Sequence, residues 1–139
     1  SIETQIQERN LGSFVYMAGF RHDVPQLLKL CDMLVSASLK EGMPYTLIEA
    51  LAAGTPVTAT DVVGNRDVIR DGKNGFLVQA ENAEALAKTL EHAIQNPALC
   101  RKYSAQGQKI FHELFTEEQF ARRLFGMYDK VIGIDSNMF

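Results

Sequence analysis

Four short apolar runs mark the first half of the chain: Phe14 to Met17, Met33 to Ser36, Pro56 to Ala59 and Gly75 to Val78. Each is close to continuous in its apolar character instead of alternating. That pattern predicts strands buried on both faces of a parallel sheet. Between the runs lie helical patterns over Val24 to Cys31, Tyr45 to Ala53 and about Asn65 to Arg70. Strand and helix taking turns argue for an α/β fold. Gly54-Thr55-Pro56 closes one helix and opens the next strand, because Gly suits a helix end and Pro forbids its continuation. Asp71-Gly72-Lys73-Asn74-Gly75 reads as a turn before the last run.

Beyond Val78 the periodicity changes to that of helices alone. Asn82 is placed to cap a helix over Ala83 to Gln95, with Leu86, Leu90, Ala93 and Ile94 on one face. Glu84 and Lys88 stand one helical turn apart as an ion pair. Pro97 opens a helix to Leu114. Thr116 and Gln119 form a capping box, Phe115 can staple to Phe120, and a last helix carries Phe120, Leu124, Tyr128 and Val131 in one stripe. Phe111, Phe115, Phe120 and Phe125 are read as helix packing. Residues 1–133 form one domain on this reading, and Ile134 to Phe139 form a patternless tail.

Composition narrows the class. At 139 residues and 46% apolar content the chain can build one core. The net charge of −3, with acids and bases interspersed, gives no footprint for nucleic acid. No run of about 18 apolar residues is present to span a membrane. Cys31 and Cys100 lack metal-type spacing, and Cys31, after three leucines, is expected as a buried free thiol in a reducing cytosol. His22, His92 and His112 are too scattered to suggest a metal site, so none is expected.

The candidate chemistry lies in Glu41-Gly42-Met43-Pro44-Tyr45-Thr46-Leu47-Ile48-Glu49. Two acids stand eight positions apart, the first in a loop and the second on the helix the loop opens. A helix start presents unpaired N–H groups and partial positive charge, which suit a diphosphate. Carboxylates suit sugar or ribose hydroxyls. One short element can therefore hold a nucleotide diphosphate-sugar. Gly64-Asn65-Arg66-Asp67 is explained as well by a helix cap with an ion pair as by a role in the pocket.

With its surroundings, Asp32-Met33-Leu34-Val35-Ser36 before it, Ala52-Ala53-Gly54-Thr55-Pro56 and Gly72-Lys73-Asn74-Gly75-Phe76 after it, this stretch resembles a known family. It is similar to the C-terminal, donor-binding Rossmann-like domain of retaining GT-B glycosyltransferases (group 1, family 4) with a Glu-x7-Glu motif. The resemblance runs from about Phe14 to Ile132. It implies that Glu41 faces the donor sugar near its reacting carbon as the catalytic acid residue, and that Glu49 holds the ribose. Backbone N–H groups from Gly42, Met43, Tyr45, Thr46 and Leu47 would meet sugar and phosphate. Pro44 removes one such N–H where many relatives have Gly. Phe20 and Arg21 fall where relatives place the base. The donor it implies is a UDP-sugar first and a GDP-sugar second, with no cofactor and no metal. The acceptor it implies is a glycan or a membrane-associated lipid-linked glycan in cell-surface polysaccharide assembly. The expected location is cytoplasmic, peripheral to the inner membrane.

The family's domain begins with two further strands, one of which ends in a Gly-Arg segment followed by Lys. These cations neutralise the departing diphosphate, and the chain shows neither strand. In the family's sheet order they lie between the first and second runs found here. An incomplete sheet is therefore expected, or its repair by strand exchange in a homo-oligomer. An N-terminal acceptor domain is a further expected partner, and the chain alone is expected to be inactive. A non-catalytic nucleotide-binding or assembly domain stays open as an alternative.

Overall fold

The computed structural model of the chain describes residues 1–132; the predicted tail over 134–139 lies outside the described residues. In chain order the elements are α1 (Ile2–Glu8), α2 (Val24–Leu28), β1 (Leu34–Ser36), α3 (Tyr45–Ala53) and β2 (Val57–Thr60). There follow α4 (Val63–Val68), β3 (Phe76–Val78), α5 (Ala83–Gln95), α6 (Pro97–Leu114) and α7 (Glu117–Ile132). The three strands form one parallel sheet in the order β1-β2-β3. Val57 pairs with Leu34 and Thr58 with Phe76.

Successive strand residues point to opposite faces, and both faces are covered. Leu34, Val57, Ala59 and Leu77 pack with Leu47, Ala50 and Leu51 of α3, Val68 of α4 and Ile110 of α6. On the other face Phe76 meets Ala93 of α5 and Cys100 and Tyr103 of α6. All four residues of β2 are buried, as a central parallel strand requires. Burying a side chain such as Leu51 stabilises the fold by about 1.5–3 kcal/mol.

Two caps act as the sequence indicates. Gly54 takes the left-handed conformation at φ 76°, and the N–H groups of Gly54 and Thr55 close the end of α3 on the carbonyls of Leu51 and Ala50. The Asn82 side chain accepts from the Ala85 N–H at 2.9 Å. Lys88 meets Glu84 at 2.7 Å. Thr116 accepts the Gln119 N–H at 3.3 Å, half of the expected capping box.

Five expectations are corrected. Phe14 to Met17 forms no strand and is exposed, because among the described residues no strand lies beside it to take its backbone groups. The helix from Val24 stops at Leu28 instead of Cys31. Its N-cap Asp23 spends its carboxylate on Arg21 and leaves the first turn without a side-chain cap. Cys31 is therefore in the turn beyond the helix and exposed, while Cys100 is the buried thiol. Burial pushes the Cys100 thiol above its ordinary pKa. The third short helix runs over Val63–Val68, earlier than Asn65 to Arg70. Finally, Phe120 and Phe125 are exposed with the rest of the α7 stripe, whereas Phe111 and Phe115 pack on the core.

Candidate donor site

β1 ends at Ser36 and the chain crosses to α3 through the loop that carries Glu41. Glu41 is half-buried; Gly42 and Met43 are exposed. Pro44 is buried and serves as N-cap of α3 without a side-chain bond. Tyr45, Thr46 and Glu49 are exposed along α3, and Tyr45 and Glu49 share one face at i,i+4 spacing. Leu47 turns the other way and is 1% exposed in the core. One helix thus anchors itself by Leu47, Ala50 and Leu51 and presents Glu49 to solvent.

The N–H groups at this helix start divide into two sets. That of Tyr45 donates to Met43 O at 3.0 Å and that of Leu47 to Pro44 O at 3.0 Å. Those of Gly42, Met43 and Thr46 have no acceptor among the described residues. The free donors and the α3 dipole favour an anion at this place.

Beneath the loop lies α4, and sequence reasoning missed how it supports the loop. Gly64 is buried against the carbonyls of Glu41 and Gly42. Asn65, read as a cap residue, is fully buried instead. Its Nδ2 donates to Thr60 O at 2.8 Å, and the Thr60 hydroxyl donates to Ser38 O three residues before Glu41. Asn65 Oδ1 is buried without a partner among the described residues. The signal available in the sequence was the Gly-Asn pair itself, since buried Asn is unusual and demands hydrogen bonds.

Arg66 forms the expected ion pair, but with Asp61 at 2.5 Å and not with Asp67. The guanidinium holds the Asp61 carboxyl below its usual range. Arg21 makes a two-pronged contact to Asp23 at 2.8 and 2.6 Å, and Phe20 is 86% exposed, edge-on to His22. Both precede α2, which packs on α3; among the described residues neither makes a hydrogen bond or ion pair with Glu41 or Glu49. Among the described residues no group of three metal-type ligands occurs.

The family model described as "Glycosyl transferases group 1" matches residues 1–110. The chain belongs to that family. EpsD of Bacillus subtilis (strain 168), a protein named as a glycosyltransferase, is 36% identical over 122 residues, covering 86% of this chain and 32% of its own length. The UDP-Gal:alpha-D-GlcNAc-diphosphoundecaprenol alpha-1,3-galactosyltransferase of Escherichia coli is 29% identical over 109 residues, 74% of this chain and 28% of the relative. The crystal structure of Anabaena HepE in complex with UDP superposes with a TM-score of 0.82 at 28% identity, covering 90% of this chain and 36% of HepE. The chain thus spans about a third of the length of these relatives. Its α/β fold is that of the C-terminal domain of GT-B glycosyltransferases.

Proposed function

We propose that this chain is the donor-binding part of a glycosyltransferase that moves a sugar from a nucleotide diphosphate-sugar to a glycan or lipid-linked acceptor. The observation that carries the reading is the start of α3. Free N–H groups at Gly42, Met43 and Thr46 stand beside a half-buried Glu41, and Glu49 is presented one turn into the helix. On this reading the N–H groups and helix dipole take part of the diphosphate charge, Glu49 accepts hydrogen bonds from the ribose, and Glu41 lies against the donor sugar. Positioning and electrostatics supply most of what such a transfer needs.

A UDP-sugar is the favoured donor, supported by HepE in complex with UDP and by the UDP-Gal named for the Escherichia coli relative. A GDP-sugar is second. The diphosphoundecaprenol acceptor named for that relative supports a lipid-linked acceptor and cell-surface polysaccharide assembly; a cytoplasmic place at the inner membrane is part of the proposal. Retention of the donor's anomeric configuration is the stereochemical outcome we assign. The chain alone is inactive on this proposal, because an acceptor-binding partner domain is needed. Arg21 and Arg66 are already held by Asp23 and Asp61. The open edge of β1 is where further strands would complete the sheet.

Titration calorimetry with UDP and GDP tests the site. UDP binding that is lost in Glu49→Ala supports the reading. Binding of neither nucleotide overturns it and leaves a scaffold role, and sugar transfer by the 139-residue chain alone would overturn the claim of inactivity.

A further inference from the structure

The Glu41 loop is shaped in part by a residue outside it, Gly64 of α4. A Cβ added to Gly42 would meet nothing within 4 Å, so the loop has room on its outer side. A Cβ added to Gly64 would lie 2.5 Å from the Glu41 carbonyl oxygen and 2.7 Å from that of Gly42. Both oxygens belong to backbone, which cannot swing aside as a side chain can. The fit therefore depends on the hydrogen that glycine has in place of a Cβ.

Orientation follows from peptide geometry. A trans peptide is planar, with its C=O and N–H pointing in opposite directions, and no cis peptide occurs among the described residues. The peptide joining Glu41 to Gly42 lies with its carbonyl edge against Gly64, oxygen 2.5 Å and carbon 2.8 Å from the added Cβ, so the Gly42 N–H, on the opposite edge of the peptide, faces away from that contact. The peptide joining Gly42 to Met43 does the same, and so directs the Met43 N–H. Neither N–H has an acceptor among the described residues, and both residues are exposed. The contact is braced from behind: Asn65 Nδ2 holds Thr60 O at 2.8 Å, and the Thr60 hydroxyl holds Ser38 O at the entrance to the loop.

We propose that Gly64 is a positioning residue of the donor site, whose bare Cα seats the carbonyls of Glu41 and Gly42 and so aims the N–H groups of Gly42 and Met43 at the donor's phosphate and sugar oxygens. This rests on the donor-site reading above. Gly64 touches no substrate itself. A side chain at this position tilts both peptide planes and leaves the nucleotide base and the ribose contact of Glu49 in place.

The test is UDP binding by calorimetry, with 15N–1H spectra, in wild type, Gly64→Ala and Thr60→Val of the protein that carries this chain. In wild type the Gly42 and Met43 amide signals shift when UDP is added. Gly64→Ala is expected to bind UDP about tenfold more weakly, the loss of one hydrogen bond to a charged group, and those two signals no longer shift. Should Gly64→Ala not fold, Thr60→Val, which removes the tie to Ser38 and keeps the strand's shape, is expected to shrink the same two shifts. A folded Gly64→Ala that binds UDP like wild type, or binds it weakly with both signals still shifting, overturns the proposal and leaves the donor site standing. Wild type that binds no nucleotide overturns the donor site itself.

Discussion

Phe14 to Met17 and Val57 to Thr60 are two stretches of four residues with opposite fates. The first, Phe-Val-Tyr-Met, has the stronger preference for strands. Yet it forms none, with Phe14 83% and Tyr16 85% exposed. The second, Val-Thr-Ala-Thr, is the central strand, with Thr58 and Ala59 at 0%. What separates them is neighbours. β2 has a strand on each side and a helical layer on each face, so its N–H and C=O groups and its side chains are all satisfied. Strand preference measures fit to such a surface and cannot create it.

The largest expected effect sharpens this contrast. Leu51→Ala removes a side chain 1% exposed between α3 and the sheet and is expected to cost about 2–5 kcal/mol in a denaturant titration. Phe14→Ser, which removes a larger side chain, is expected to stay within about 0.5 kcal/mol of wild type. A loss for Phe14→Ser as large as that for Leu51→Ala would mean that the segment packs somewhere, and would break the comparison.

Next in size is Asn74→Ala. Asn74 is 1% exposed, donates to Val68 O at 3.0 Å and accepts the Arg70 N–H at 2.7 Å. Truncation strands both backbone groups and is expected to cost about 1–3 kcal/mol. The cost falls on thermal stability, with UDP affinity of the folded protein unchanged. A loss of affinity at full stability would place Asn74 in the site.

Legibility in the sequence divides along the same line. Helices over 45–53, 83–95 and 97–114 keep the bounds their caps and periodicity predict, because those signals are local. The site loop was legible as residue types, since Gly, Pro and two acids around a helix start have few uses. Its support was not. Thr60 and Ser38 are 22 residues apart, and their contact, with that of Gly64 to Glu41, exists through the fold alone. Cys31 and Phe120 failed for a related reason: apolar neighbours in sequence do not tell which of them has a partner to pack on.

Gly54→Ala comes third. It forces a side chain into the left-handed region at φ 76°, at about 1–2 kcal/mol. The added Cβ would meet the end of the Gln108 side chain at 2.7 Å, which can move aside, so strain in the backbone dominates. The same substitution at Gly12, where a Cβ meets nothing within 4 Å, is expected to leave the melting temperature unchanged. Equal losses at the two positions would mean that residues near Gly12 are as tightly held as the end of α3.

The smallest effect concerns the two ion pairs, one in each region. Asp61 with Arg66 lies beside α4 and Asp23 with Arg21 lies before α2; all four side chains are substantially exposed. Each aspartate is lowered from its ordinary pKa, first by the hydrogen bond from its arginine. A carboxyl whose pKa is lower in the folded state stabilises the fold above its unfolded value, near 3.9, and loses that contribution as pH falls through the folded value. Exposed pairs contribute little and are screened by salt. Asp61→Asn is therefore expected to lower stability slightly at pH 7 and low salt, and the difference from wild type closes as pH falls below the ordinary aspartate range or as salt is added. Asp23→Asn should follow the same course. More is expected from Asp61: its partner Arg66 stands on α4, the helix that carries Gly64 and Asn65 beneath the Glu41 loop, so the change there is also read in the Gly42 amide signal, whereas Asp23→Asn leaves that signal in place. An Asp61→Asn protein whose stability gap widens toward acid would show that the carboxylate is repelled in the fold, not held by Arg66.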